Sequence, residues 1–351
     1  MNKGTKAINI ILMGFGNVGR AFLRVLKEKD ELCRAHYGLK FRLLSVFRSS
    51  GAFFSSQSME IDEILEYSAS SQKSPDWNPG LKLISVLESF EPGVLVECTP
   101  FGSKNGEPGL SHIRDALDHG WHVVTANKAP LVVDFKGLCE RASQNQVELK
   151  FSGATAAALP TVDVALYSLA GTEISRIEGI LNGTTNHILT RIKEGANYNE
   201  ALKEAQSKGI AETDPSFDVS GWDTASKILI ISNAVLRTDF SLDDVRRQGI
   251  ESIPSKLLNR GREKDKALKL LGKVWKKAGE YQLEVVLTVI DNSHPLFGVD
   301  GTNKGIVFFT DSMNSITVIG GKSDPKGTGA ALLKDIINIY RSMGTFPKVP
   351  P

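Results

Sequence analysis

The sequence predicts an α/β fold in two parts, and three observations predict it. From the start to about residue 150, short apolar runs alternate with helical stretches, the order of a parallel sheet with helices on both faces. From about residue 151 the helices come first and the strand-like runs later, the order of an α+β unit with a mixed or antiparallel sheet. Finally, the first strand runs directly into MGFGNVGRAF, which sets Gly14, Gly16 and Gly19 in G-x-G-x-x-G spacing at the opening of the first helix.

The first apolar run, AINIILM, follows a short polar start and leads straight into that turn, so it reads as a strand of the mature fold and not as a signal peptide. The glycines have separate duties: Gly14 permits the tight turn, Gly16 lets a pyrophosphate approach the backbone, and Gly19 lets the helix pack closely on the strand. With Phe15, Asn17 and Val18 they form a dinucleotide-binding fingerprint, and the first domain is predicted to be Rossmann-type. RAFLRVLKEKDELCRAHY reads as one helix and FRLLSVF as the second strand. That strand ends at Arg48, Ser49 and Ser50, with no acidic residue until Glu60. An Asp or Glu there selects NAD, whereas Arg and small hydroxyl residues accept the 2′-phosphate of NADP, so NADP is the expected cofactor. The polar stretch 49–81 reads as a helix around MEIDEILEYS followed by a surface loop. GVLVECTP, HIRDALDHG, WHVVTANK and VELKFSG continue the alternation. Thr99 and Lys128 fall at strand ends on the carboxyl edge, where open α/β sheets bind ligands, and this places Lys128 beside the nicotinamide end. Spacing alone equally allows both to be plain strand-end residues.

The second part starts with a strand at ISRIEGIL and helices at TTNHILTRIKEG, NEALKEAQSKG and 221–236. Strands follow at QLEVVLTVI, GIVFFT and SITVIG, and an amphipathic helix in the segment 318–351 returns to the first domain, leaving 151–317 as the second. In GILNGTTNHIL, Asn182 and Gly183 make a turn and Thr184 or Thr185 caps the helix. AETDPSFDVSGWDTASK then sets Glu212, Asp214, Asp218 and Asp223 ahead of Lys227. Asp223 and Lys227, four apart on a helix, share one face. The cluster contains no histidine and lacks the spacing of an EF-hand calcium loop. Two readings remain: a site for a substrate ammonium, and a solvated acidic surface.

Composition narrows the function. The 351 residues are 41% hydrophobic and 23% charged, ordinary globular usage for about two domains. A formal charge of +2, with Lys and Arg scattered, argues against a nucleic-acid partner. Cys33, Cys98 and Cys139 lack CxxC or metal-ligand spacing and suit a reducing cytosol. No apolar run approaches the roughly 18 residues that span a membrane. A soluble cytoplasmic protein is expected.

Taken together, GFGNVG, TANKAPL, FSGATAAALP, GILNGTTNHIL and AETDPSFDVSGWDTASK resemble homoserine dehydrogenase, in order and spacing, over almost the whole chain. The resemblance implies an NAD(P)-dependent oxidoreductase that interconverts aspartate 4-semialdehyde and homoserine on the route to threonine, methionine and isoleucine. It implies a core without a kinase or regulatory domain, and a second domain that is both catalytic and dimerising, hence a homodimer. It makes Lys227 the acid/base lysine, Asp223 the aspartate beside it, Glu212 the holder of the substrate amino group and Asp218 a further pocket carboxylate. Gly183, Thr184 and Thr185 are implied to line the substrate site. Lys128 becomes the second lysine near cofactor and substrate, lowering the pKa of Lys227 by like charge. In some members backbone carbonyls bind a monovalent cation, which here means those of Ser152, Thr155, Ala157 and Leu159. The chain departs from the family at Ile210, where an aromatic residue is usual, at Ser152, where a glutamate is usual, and in GGKSDPKGTG, which is richer in polar residues. The rivals are another small-aldehyde or amino-acid dehydrogenase with the same cofactor domain, and a catalytically silent dinucleotide-binding sensor.

Overall fold

The fold is taken from a computed structural model that describes residues 5–67, 76–100, 105–321 and 324–342. Most of the expected surface loop after residue 67, part of GGKSDPKGTG and the end of the terminal segment lie outside the described residues. Two compact units are formed, the first from Met1–Ala154 with Asp324–Pro351, the second from Thr155–Ser323.

In the first unit, strand β1 (Lys6–Met13) leads into helix α1 (Asn17–Glu28). The single helix expected over RAFLRVLKEKDELCRAHY is two: α1 ends at Lys29, whose φ of −108° and ψ of 4° leave the helical region, and α2 (Asp30–Tyr37) starts anew and stops at Gly38 in the left-handed region. Then come β2 (Leu39–Arg48), β3 (Gly51–Phe54), α3 (Ile61–Glu66), β4 (Trp77–Asn78) and α4 (Leu83–Ser89). The alternation continues through β5 (Val94–Glu97), α5 (Gly109–Asp118), β6 (His122–Thr125), α6 (Lys128–Gln144), β7 (Leu149–Lys150) and a single turn, α7 (Ser152–Thr155).

The sheet order is β4-β3-β2-β1-β5-β6-β7. Strands β2, β1, β5, β6 and β7 pair in parallel, as a Rossmann-type sheet does. The stretch 49–81 corrects the expectation of a wholly parallel sheet, because β3 and β4 lie within it and pair antiparallel. A connection of two residues between β2 and β3 permits only a hairpin, since a parallel return needs a crossover.

The second unit has a π-helical turn at Val164–Ser168 and then β8 (Ile174–Ile180). Next come α8 (Gly183–Lys193), α9 (Tyr198–Ser207), α10 (Ser216–Val219) and α11 (Trp222–Leu236). The remainder is β9 (Arg246–Arg247), α12 (Ser255–Gly261), β10 (Lys266–Lys277), β11 (Glu280–Asp291), β12 (Lys304–Thr310) and β13 (Ser315–Gly320). Its sheet runs β13-β12-β8-β10-β11-β9, antiparallel except for the short β11/β9 pair. β10 was not legible as a strand, because its burial runs unbroken through the middle of the sheet instead of alternating. Gly272 of β10 is the contact point for α11: a Cβ there would meet Ile228 at 3.1 Å and Thr224 at 3.2 Å, so the helix that carries Asp223 and Lys227 lies directly on the sheet.

The last described helix, α13 (Pro325–Ser342), belongs to the first unit. Leu332, Ile336, Ile339 and Tyr340 join a core built from β1, β2, α1 and β5. Gly329 permits the closest approach, since a Cβ there would stand 2.9 Å from the Phe22 backbone.

Candidate functional site

The cofactor cradle lies in the first unit. Gly14 has φ +93°, and a Cβ on it would stand 2.7 Å from the Cys98 carbonyl, so the turn after β1 presses against the end of β5. A Cβ on Gly19 would meet the Gly14 oxygen at 2.1 Å. Gly16 differs: a Cβ on it would meet nothing within 4 Å, and its φ of −82° is open to any residue. Sterics inside the protein therefore explain Gly14 and Gly19 but not Gly16, which faces open space. Gly16 and Asn17 are exposed, Val18 is half-buried, and α1 begins with no side-chain cap and no acidic residue in its first turn. Backbone N–H groups of α1 are thus left for an anion, which fits a dinucleotide pyrophosphate.

Phe15 is buried, 6.5 Å from the Phe53 ring, with the Arg20 guanidinium 3.9 Å over its face. Arg48 is the last residue of β2 and pairs with Gly51, so Ser49 and Ser50 form the exposed tip of the β2/β3 hairpin. The Arg48 guanidinium lies 6.0 Å over the Trp77 ring. Burial lowers the pKa of Arg20, and the neighbouring positive charges of Arg48 and Arg24 lower it further.

At the carboxyl edge, Glu97 ends β5 fully buried. It accepts the Thr99 N–H at 2.6 Å and the Thr99 hydroxyl, and His112 Nδ1 lies 2.8 Å from its other oxygen. Asn127 donates to Thr99 Oγ1 at 3.1 Å and caps α6 by accepting the Ala129 N–H at 3.1 Å. Half-buried Lys128 is the first residue of the helix so capped. Glu97, His112 and Asn127 were not singled out in the sequence. A carboxylate closing an apolar strand was their signal, but its partner on α5 is 15 residues away.

The second unit builds a buried polar cluster from α8, α10 and α11. Gly221, in the left-handed region at φ +83°, starts α11 and puts Asp223 in its first turn, where a carboxylate favours the helix dipole. Lys227 Nζ donates to Asp223 Oδ2 at 2.6 Å and to the Leu181 carbonyl at 2.9 Å. Their side chains are only 13% and 8% exposed, so this is no solvated surface pair. The cap of α8 is Asn182, not Thr184 or Thr185 as expected, because the helix already begins at Gly183: Asn182 accepts the Thr185 N–H at 2.8 Å, and its amide nitrogen donates to Asp218 Oδ1 at 2.7 Å and Asp223 Oδ2 at 2.8 Å. Burial, then the Asp223 charge, raises the pKa of Asp218. Gly183, Thr184 and Thr185 are buried in the first turn of α8, and the Thr184 hydroxyl donates to the Ile210 carbonyl at 3.0 Å. The cluster joins Asp218, Asp223, Lys227 and the Asn-Gly-Thr-Thr turn. It does not include Glu212, which is exposed on the loop before α10 and makes no side-chain hydrogen bond or ion pair among the described residues. Asp214 caps the next turn, accepting the Ser216 N–H at 3.0 Å.

Beside the four carbonyls named for a monovalent cation, two neighbouring oxygens are taken by lysines. The Ser152 hydroxyl, standing where a glutamate was expected, accepts from Lys334 Nζ at 2.7 Å and donates to Asp335 Oδ1 at 2.9 Å. In the second unit Ala156, between Thr155 and Ala157, gives its carbonyl to Lys304 Nζ at 2.7 Å, and that lysine is 1% exposed. A free cation beside a buried ammonium meets like-charge repulsion that water does not screen. Among the described residues, no group of three or more His, Cys, Asp or Glu is placed to hold a metal ion. No helix among them is long and apolar enough to cross a membrane.

Comparison with known proteins agrees with both units. Residues 14–152 match the family described as homoserine dehydrogenase, NAD binding domain, and residues 160–337 match the homoserine dehydrogenase family. The homoserine dehydrogenase of Methanocaldococcus jannaschii is 36% identical over 339 residues, 95% of this chain and 99% of that one. An NAD(+)-dependent homoserine dehydrogenase of Pseudomonas canavaninivorans is 29% identical over 338 residues, 95% of this chain and 96% of that one. A solved hyperthermophilic archaeal homoserine dehydrogenase in complex with NADPH superposes with a TM-score of 0.81 at 25% identity, covering 98% of this chain and all of that one. With a glycine fingerprint at the start of α1 and a lysine–carboxylate cluster on α10 and α11, the chain belongs to the homoserine dehydrogenase family, NAD(P)-dependent oxidoreductases acting on a CH–OH group.

Proposed function

We propose that the chain reduces L-aspartate 4-semialdehyde to L-homoserine, and the reverse, with NADP preferred over NAD, as a step toward threonine, methionine and isoleucine. The observation that carries the catalytic reading is the Lys227 ammonium: two of its N–H bonds are fixed, on Asp223 and on the Leu181 carbonyl. The third has no partner among the described residues and is left for substrate. The bound nicotinamide supplies the hydride. Lys227 then stabilises the alkoxide that forms on the former aldehyde oxygen and delivers its proton there. Asp223 orients the ammonium, and Asp218 offers negative charge to the substrate amino group. Gly183, Thr184 and Thr185 line the site, and Glu212 meets the same ammonium from its exposed loop. In the first unit the fingerprint residues hold the pyrophosphate, Thr99 and Lys128 stand at the nicotinamide end, and Arg48, Ser49 and Ser50 receive the 2′-phosphate.

The relatives include one named for NAD(+) and one bound to NADPH, so cofactor choice rests on this chain's own hairpin tip. A guanidinium and two exposed hydroxyls, with no carboxylate, favour a phosphate over a ribose hydroxyl pair. The assay is homoserine-dependent reduction of NADP and of NAD by the same preparation. Turnover of other aldehydes but not aspartate semialdehyde would establish the rival dehydrogenase, and cofactor binding without turnover the silent sensor.

A homodimer is proposed through the second unit, whose Leu166, Tyr167, Met313 and Ile319 are exposed apolar side chains. Sedimentation as a monomer at micromolar concentration would overturn it.

A further inference from the structure

Asn182 holds a place that capping does not explain. Capping uses only Oδ1, which accepts the Thr185 N–H at 2.8 Å. The two N–H bonds of the same amide go to two different carboxylates, Asp218 Oδ1 at 2.7 Å and Asp223 Oδ2 at 2.8 Å. Each hydrogen-bonding direction of this 5%-exposed side chain is therefore matched to a partner of the right kind. A flipped amide would set its oxygen against both carboxylates and lose the cap, so the orientation is unique.

The charges around it come from two elements. α10 contributes Asp218, and α11 contributes Asp223 and Lys227, whose ammonium donates to Asp223 and not to Asp218. A buried and a half-buried carboxylate that share a neighbour repel, and the usual result is that one of them takes up a proton. The amide is the group that donates to both.

We propose that Asn182 is a positioning residue that keeps Asp218 and Asp223 ionised together, so that one carboxylate aims Lys227 while the other remains charged for the substrate ammonium. The proposal rests on the catalytic reading above and deepens it by dividing the two tasks. Asp223 spends one oxygen on both Lys227 and Asn182. Asp218, which the Thr184 hydroxyl also approaches, offers its charge to substrate, and that charge depends on the amide. A side chain of the same shape with a different polarity at this position would change the charge of the pocket without changing its packing.

The test compares Asn182→Asp with Asn182→Ser. Both keep an oxygen that caps α8, so the helix start is preserved, and both remove the two donors. For Asn182→Asp we expect kcat/KM for homoserine to fall by about tenfold or more, because hydrogen bonds to charged groups are lost. The KM for homoserine should rise while that for NADP stays put, and the acid limb of the kcat/KM profile against pH should move to higher pH, since a third carboxylate makes Asp218 easier to protonate. Asn182→Ser should give a smaller loss in the same direction. A folded Asn182→Asp enzyme with unchanged homoserine KM and unchanged acid limb overturns the proposal. So does an equal loss for homoserine and NADP accompanied by a fall in melting temperature in both variants, which marks a structural cap only. Lys227→Ala, measured alongside, separates the two levels: if it retains turnover, the catalytic reading fails and this inference with it, whereas an inactive Lys227→Ala beside an unaffected Asn182→Asp overturns this inference alone.

Discussion

Lys227 and Asp223 meet across one turn of α11 at 2.6 Å, both buried, and the Leu181 carbonyl fixes a second N–H of the same ammonium at 2.9 Å. An ammonium so aimed suits the proton donation proposed above. Lys227→Ala is therefore expected to lower turnover by ~10²–10⁴-fold, the usual contribution of a general acid or base. Cofactor affinity, measured by fluorescence titration, should be unchanged. Lys227→Arg should not restore activity, because a guanidinium does not give up its proton near neutral pH. Turnover within a few fold of the parent in Lys227→Ala would remove Lys227 from the mechanism.

Gly16 and Gly19 separate binding from folding. Gly16→Ala places a methyl group in open space, so the melting temperature should hold while NADP affinity falls. Gly19→Ala drives a methyl group to 2.1 Å from the Gly14 oxygen and should lower stability and cofactor affinity together. If Gly16→Ala binds NADP as tightly as the parent, no pyrophosphate approaches that backbone.

Arg48 ends β2 at the hairpin tip where the 2′-phosphate is proposed to bind. Arg48→Asp replaces a phosphate ligand with a charge that repels it and favours a ribose hydroxyl, so the ratio of kcat/KM for NADP to that for NAD should fall below one. A parent enzyme that already prefers NAD, or an unchanged ratio in the variant, would show that Arg48 does not read the phosphate.

Glu212 is exposed and uses no partner among the described residues, so Glu212→Gln should leave the melting temperature unchanged. If its carboxylate meets the substrate ammonium, the KM for homoserine rises and that for NADP does not. Unchanged KM for both would leave Asp218 as the carboxylate that reads the ammonium.

His122 gives a pH dependence whose sign is fixed. Burial lowers its pKa below the ordinary 6.5, and its Nδ1 accepts the Glu148 N–H at 3.0 Å, a bond that protonation would break. As pH falls through 6.5 the unfolded chain takes up the proton first, so stability is lost there, and the loss stops growing once pH passes below the folded-state value. Melting temperature should drop between neutral and mildly acidic pH. His122→Asn, which keeps an acceptor but cannot ionise, should flatten that slope, and an equal slope in both proteins would assign the acid sensitivity elsewhere.

By itself, the sequence determined the Rossmann-type half, because its signals are local. A strand, a tight turn and a helix N-terminus lie within MGFGNVGRAF, and each glycine has a steric or ligand reason that spacing alone expresses. It also determined that Asp223 and Lys227 share a helix face, since the helical period fixes that. What it left open was whether they face water or protein. The buried answer comes from Gly272, which lets α11 lie directly on β10, a strand whose unbroken burial hid its period. The same tertiary placement made Asn182, read from the sequence as a turn residue, both the cap of α8 and the link between Asp218 and Asp223, 36 and 41 residues further along the chain. It also gave the Ala156 carbonyl to the buried ammonium of Lys304 and the Ser152 hydroxyl to Lys334, pairings that span 148 and 182 residues. Hydrogen bonds between residues so far apart leave no periodic trace in a single chain, so only folding brings these charges together and only the folded arrangement sets which of them are paired.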